Sequence, residues 1–540
     1  MNRARSETLA TSPAVGSISD IRPPSLLAAV AYEAAWPEGD AARTSLQQWC
    51  ADQLVPGPSD REPGGHRPRV RVDSPSMFGL VVRPIQANSA EWNSKKGQDA
   101  IWTEMGEHDK RGTWLTKEVV ELDDLMAEVR STGEEVILGG VHPILGAKGS
   151  ERSPDDADLR CRVVFTAPRA RTSSGLDIQC LYDEISASPI TFQGSRAIRA
   201  YAALRGFKIS SRDAKSAYLQ SKLRRPGTTD PRTFVALPKQ FWPAEWTVMK
   251  MRRPMVPLDL SLYGHPVAGN RWDGQMTTCV TSAGYEPAPQ WKAIFKEPKT
   301  GSALGVYVDD FEMAATLEDT PKLWKRLEDA GIEFKEDYKI WNAEDATQHL
   351  GCDYWVKHEK EKDGHVLTQI RGSMEDYHEA LVQRFEERMG IKIHPCDTPF
   401  LDAGAERRHA QDMKEPGKFG YMAASPLMGG LYAARSCRPD EIVPTLRLAR
   451  RLTKWSAYHD RKLIRYLGYL RQSAALGITG SLSTRDHATA LVRFWPDADL
   501  AGEPTEDTKS TSGCWLEVAS VGGERSMPVH WGMKKQTIHC

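Results

Sequence analysis

The stretch Gly305-Val306-Tyr307-Val308-Asp309-Asp310-Phe311 restricts this chain more than any other. Val306 and Val308 alternate with Tyr307, the period of a half-buried strand, and the apolar pattern resumes at Met313-Ala314-Ala315. Strand, tight turn and strand therefore follow one another, with two carboxylates at the turn. Adjacent carboxylates repel, and near neutral pH a bound cation is the natural way to keep both ionised. Hard divalent ions such as Mg2+ take oxygen ligands. A third carboxylate from elsewhere would complete a two-ion site for phosphoryl or nucleotidyl chemistry. Taken alone, Asp309-Asp310 is a polar hairpin tip, so the rest of the chain has to decide.

The candidate third carboxylate is Asp213. Gln193 to Leu204 has the composition of a helix stopped at Gly206, and Phe207-Lys208-Ile209-Ser210 restarts as a strand that runs into Asp213. Tyr218 follows five residues later. A helix N-cap is the competing role for Asp213, and one residue can serve both. Upstream, the strand Arg160-Cys161-Arg162-Val163-Val164-Phe165 is followed by Arg169 and Arg171. Four arginines in twelve residues could grip a polyphosphate. A charged strand edge is the alternative.

At 540 residues the chain exceeds one ordinary core, and two to four domains are expected. A 40% hydrophobic and 26% charged composition is that of a soluble globular protein, and the net charge of -1 leaves any nucleic-acid signal local. The nine cysteines form no CxxC pair, which argues against a zinc ribbon or disulfide framework and for reduced thiols inside the cell. Neither a membrane-spanning run nor a secretory h-region is present. The expected location is cytoplasmic or nuclear. Breakers such as Pro56-Gly57-Pro58 and Pro63-Gly64-Gly65 mark residues 1–87 as a disordered leader. From Ser373 the period becomes helical, with Met374, Tyr377, Leu381, Phe385 and Met389 on one face and Gly390 as stop. Residues 420–475 read as helices, one of them from Ile442 to about Tyr458. They carry Arg447, Arg450, Arg451, Lys454, Arg461, Lys462 and Arg465, a local basic surface for a polyanion or a solvated helix face. Strands return at Ala490 to Trp495.

The order of these pieces resembles the reverse transcriptase and ribonuclease H part of a copia-type LTR-retrotransposon polyprotein, from about Ala90 to Cys540. Asp213-Ala214-Lys215-Ser216-Ala217-Tyr218-Leu219 is similar to the family's first catalytic motif. Ser261-Leu262-Tyr263-Gly264 is similar to its SLYG signature, and Tyr307-Val308-Asp309-Asp310 to its YVDD box. His349-Leu350-Gly351 is similar to the FLG strand, Thr398-Pro399 to the linker, and Arg438-Pro439-Asp440 with Arg465-Tyr466-Leu467 to the connection helices. Asp497-Ala498-Asp499-Leu500-Ala501-Gly502, Lys509 to Gly513 and Trp531 to Gln536 are similar to the start of the ribonuclease H domain.

The resemblance implies an α+β, right-hand polymerase: fingers and a ferredoxin-like palm over 88–356, a helical thumb and connection over 357–484, and the first part of a ribonuclease H-like α/β domain over 485–540. It implies an RNA-directed DNA polymerase that takes an RNA template, a DNA primer and dNTPs, without a membrane. Asp213, Asp309 and Asp310, with the Ala214 carbonyl, would hold two Mg2+ ions, for which Mn2+ can substitute. Arg160 and Arg162 would meet the triphosphate, Tyr218 would exclude a 2'-hydroxyl, and Gly264 would admit nucleotide or template closely. Two departures stand out. His265-Pro266-Val267-Ala268-Gly269-Asn270 replaces the family's Lys-Gln and Pro-Arg. Asp497 is the only ribonuclease H acid, with Asp499 as alternate, so no ribonuclease H activity is expected and the chain reads as a fragment or a decayed copy. Two rival readings follow: a decayed remnant that only binds nucleic acid, and an unrelated metal-dependent phosphotransferase whose aspartates lie apart.

Overall fold

The computed structural model describes residues 82–148, 158–176, 178, 188–400, 410–499 and 510–536. Four sheets and the helices packed on them form an α+β structure. The largest apolar cluster lies around a six-stranded antiparallel sheet. Its strand order is Lys339–Ile340, Lys208–Asp213, Asp310–Ala315, Ala303–Tyr307, Ile294–Lys296 and Glu286–Pro287. Local chemistry sets its flanking helix, Phe192–Arg205. The Thr191 hydroxyl accepts from the Gly194 amide at the start, and Gly206 ends it in the left-handed region at φ +65°. Ala200, Ala202, Ala203 and Leu204 are all buried, because this helix has protein on nearly every side.

A second, seven-stranded sheet begins before the central one and interleaves with it in the chain, since Arg232–Ala236 and Pro254–Pro257 follow Lys208–Asp213. The long strand Val136–Lys148 is its spine, pairing with Val82–Pro84, Asp158–Phe165, Arg171–Thr172 and, in parallel, Arg232–Ala236. The described residues begin at Val82, and Val82–Pro84 is a strand that lies inside the expected leader of 1–87. Val82-Arg83-Pro84 is too short to show a period, and its order comes from pairing with residues 146–148. The rest of the expected leader, 1–81, lies outside the described residues.

After the central sheet, Thr347–His349, Cys352–Lys360, Val366–Ser373 and Gly477–Ser483 form a four-stranded sheet. The chain between its last two strands supplies helices Glu375–Met389, Gly420–Ser436, Ile442–Ala449 and Ala457–Gln472. The helix from Ile442 ends at Ala449, not near Tyr458. Ser456 starts a new helix by a capping box with His459. Ile332–Phe334 makes only an isolated bridge, Ala214 to Phe334, instead of a strand. Leu491–Ala498, Thr511–Ala519 and Ser526–Lys535 close the described chain as a three-stranded antiparallel sheet, and no α-helix occurs among the described residues of 485–540. No helix among the described residues is long and apolar enough to cross a membrane.

Candidate active site

Asp213 ends its strand, Asp310 begins the neighbouring one, and the two stand opposite each other in the antiparallel register. Tyr307 pairs with Asp310, so the hairpin tip is Val308-Asp309 alone. Val308 has φ +57°, a region that β-branched residues rarely enter. Two hydrogen bonds hold the strained tip. The Trp272 indole N–H donates to the Val308 carbonyl at 2.7 Å, and the Ala214 amide donates to the Asp309 carbonyl at 2.7 Å. Both acid segments are thus tied together through main chain as well as register.

Bringing these carboxyls together has an electrostatic cost. Burial above all, opposed by His349 and reinforced by repulsion from Asp309 and Asp213, raises the Asp310 carboxyl to about 6. Lys335 supplies a counter-charge absent from the sequence reading. Its Nζ lies 3.2 Å from Asp213 Oδ2 and 3.9 Å from Asp309 Oδ2, and its amide donates to the Asp213 carbonyl at 2.9 Å. The donor set, oxygens alone with an excess of negative charge, has the chemistry of a hard divalent-cation site. As the side chains stand, no three His, Cys, Asp or Glu among the described residues are grouped to hold an ion.

Beside the acids, the Tyr218 and Tyr263 rings lie 4.6 Å apart between centroids, and the Arg162 guanidinium lies 5.6 Å from the Tyr263 centroid. Burial, then the nearby Asp309 charge, raises both phenols, Tyr263 to about 12. Arg160 is turned to its own strand, where Nε meets Asp158 Oδ2 at 2.8 Å. Of the two candidate arginines, only Arg162 reaches the aromatic pair.

Gly264 has φ +87°, and a Cβ there would fall 2.5 Å from the Phe165 carbonyl oxygen. Its need for glycine comes from the end of the strand Asp158–Phe165, where the Phe165 N–H also donates to the Tyr263 carbonyl at 2.7 Å. His265 is buried with its ring 4.8 Å from that of Phe165, and burial, helped by Arg271, pushes its pKa down to about 3. His265 is therefore a neutral core ring.

Behind the hairpin lies a buried ionic network. Glu312, two residues after Asp310, accepts from Arg199 Nε at 2.8 Å and Ser195 Oγ at 2.5 Å, with His349 Nε2 at 3.2 Å. Burial alone would raise Glu312, but Arg199 and His349 outweigh it and hold its carboxyl at about 2. Arg199 also stacks 3.9 Å from the Tyr354 centroid. An acid between Phe311 and Met313, in the apolar part of its strand, and arginines in an alanine-rich helix were the signal available for this network.

The basic helices are partly spoken for. Arg465 donates to the Phe400 carbonyl and the Thr398 hydroxyl at 2.6 and 2.7 Å, and Arg447 covers the Phe400 ring. Arg461 pairs with Asp412, and Lys462 lies 4.6 Å from the Tyr458 centroid. Arg450 and Lys454 are exposed, and Arg451 is half-buried. Asp497 is exposed on the strand Leu491–Ala498, while Asp499 Oδ1 accepts from the Thr511 amide at 2.6 Å. No protein-family model and no curated protein matches the chain.

Proposed function

We propose that this chain is an RNA-directed DNA polymerase that extends a primer 3'-hydroxyl by nucleotidyl transfer. The observation that carries the reading is the pairing of Asp213 with Asp310 on adjacent antiparallel strands, beside a two-residue tip that presents Asp309. This arrangement also counts against the phosphotransferase reading, which needs the acids apart. Asp213, Asp309 and Asp310, with the Ala214 carbonyl, would hold two Mg2+ ions, or Mn2+ in their place. Bound divalent ions would supply Lewis acidity toward the 3'-hydroxyl and the triphosphate.

The protein's own groups have definite tasks in this reading. Tyr218, braced by Tyr263, presents a flat ring to the incoming sugar and leaves no room for a 2'-hydroxyl. Arg162, held over Tyr263, offers a bidentate donor to phosphate oxygens. Lys335 balances the carboxylates between turnovers and is free to move toward a phosphate. Arg450, Lys454 and their neighbours face the template-primer backbone.

The buried, neutral His265, which stands where the resemblance leads one to expect a lysine, favours a second reading: a remnant that binds nucleic acid without turnover. Primer extension on poly(rA)/oligo(dT) with Mg2+ or Mn2+ separates the two. The polymerase reading predicts extension by the wild type, lowered at least about a hundredfold by Asp309→Asn. No signal from either protein, with template-primer still bound, would establish the remnant.

A further inference from the structure

A charge buried without a counter-charge is costly, and a folded chain ordinarily pairs it or holds an ion against it. Arg196 and Arg199 both lie on the helix Phe192–Arg205 and are 8% and 4% exposed. Arg199 has its counter-charge in Glu312. Arg196 has no carboxylate partner among the described residues. Its Nη1 donates to the Val529 carbonyl at 3.3 Å, and its Nη2 donates to the Ser436 carbonyl at 2.9 Å and to the Arg435 carbonyl. The guanidinium carbon lies 3.7 Å from the Trp531 centroid. Ser436 and Arg435 end the helix Gly420–Ser436, so one part of the role is to cap that helix. Carbonyl dipoles and a ring face soften the charge, but they do not cancel it.

The surroundings carry a positive excess. Burial above all, opposed by Tyr354 and reinforced by Arg199, pulls the Arg196 guanidinium down to about 10. Burial, then Arg196 and Arg435, pushes the nearby His530 down to about 4, so that ring is neutral. A guanidinium has five N–H groups, and these three hydrogen bonds engage three of them. The other two have no acceptor among the described residues. Arg196 and Arg199 line a cavity of about 30 Å³, together with Tyr354, Ser436, Met527 and Trp531. One water needs about 10–15 Å³ of such space, so a single ion somewhat larger than water fits.

We propose that this cavity is a binding site for a small monovalent anion of the chloride class, held by the two remaining N–H groups of Arg196. One negative charge is what Arg196 lacks, since Arg199 is already paired with Glu312. A divalent oxyanion such as sulfate is too large for the space and brings one charge too many. The lining residues belong to the helix Phe192–Arg205, the end of Gly420–Ser436, and the strands Cys352–Lys360 and Ser526–Lys535. A bound anion would therefore tie the four-stranded and three-stranded sheets to the helix that backs the acid hairpin. This site does not depend on the polymerase reading.

The test is thermal unfolding of the full chain at constant sodium concentration, with sodium gluconate replaced stepwise by sodium chloride. Gluconate is too large to enter the cavity. An ion that binds only the folded chain raises the midpoint saturably, by roughly 2–4 °C once chloride stands about tenfold above its dissociation constant. In Arg196→Met the rise is absent, because a neutral side chain needs no counter-ion. Ile478 also lines the cavity, from the strand Gly477–Ser483. Ile478→Phe fills the space and leaves the guanidinium in place, so it too removes the rise, and it decides the question if Arg196→Met does not fold. Equal wild-type midpoints in the two salts would overturn the proposal and leave the cavity to water. A chloride-dependent rise that persists in either variant would overturn it as well, because the ion would then bind elsewhere.

Discussion

At the scale of single residues, the site is built around positions that tolerate little change. Gly264 is the clearest. Alanine there would need a φ of +87° and would drive its Cβ against the Phe165 main chain. Gly264→Ala should cost about 1–3 kcal/mol, read as a lowered thermal midpoint, and a wild-type midpoint would refute the contact. Glu312 sets a pH dependence. Its folded pKa, about 2, lies below the ordinary 4.5. A depressed carboxyl contributes stability that is fully present above the ordinary value and lost as pH falls toward the folded one. Between pH 6 and pH 3 the wild type should therefore lose roughly 2 kcal/mol that Glu312→Gln does not lose. Urea unfolding at both pH values measures the difference, and equal losses would show that Glu312 is not held ionised.

The residues differed in how plainly their roles could be read. Asp213, Asp309 and Asp310 were legible because each sits at the end of an alternating apolar run. Lys335 was not, because it lies among Lys335-Glu336-Asp337 in a charged loop, and only its hydrogen bond to the Asp213 main chain aims it at the acids. His265 was noticed in the sequence only as a departure from the pattern that the chain resembles. That it is a core ring packed on Phe165 depends on tertiary contacts.

At the scale of elements, the hairpin is held from behind as much as from the front. Arg199 on the helix Phe192–Arg205 and Glu312 on the strand Asp310–Ala315 are both buried and joined at 2.8 Å. Removing one charge strands the other in a dry interior. Glu312→Ala alone should cost about 3–5 kcal/mol, whereas the Arg199→Met, Glu312→Met pair should cost much less than the sum of the singles. A double-mutant cycle by urea denaturation checks this, and additive losses would show that the two side chains do not depend on each other. Helix Phe192–Arg205 was read almost to its ends because its cap residues are local. The short strand Val82–Pro84 and the missing strand at Ile332–Phe334 were misread because non-local pairing decides such segments.

At the scale of the whole molecule, the described residues form four sheets, of which the first two interleave in the chain. The seven-stranded sheet carries Arg162, the central sheet carries the three acids, and the helical stretch after it carries the exposed Arg450 and Lys454. The α+β class was expected from the family resemblance, and alternating runs gave the paired strands around Asp309-Asp310, whereas the six-stranded sheet depends on pairings between segments far apart in the chain. The engagement of Arg465 and Arg447 by Thr398 and Phe400 was not, because a basic helix face has the same sequence whether it meets solvent, polyanion or its own linker.

The central claim is that Asp213 and the Asp309-Asp310 tip act as one cation-binding unit. Its most direct measurement is Mn2+ binding to the full chain, followed by electron paramagnetic resonance, for the wild type, Asp213→Asn and Asp309→Asn. The account predicts saturable binding by the wild type, weakened at least about tenfold by either substitution, each of which removes a ligand charge from the shared site. Identical Mn2+ binding by all three proteins would contradict it.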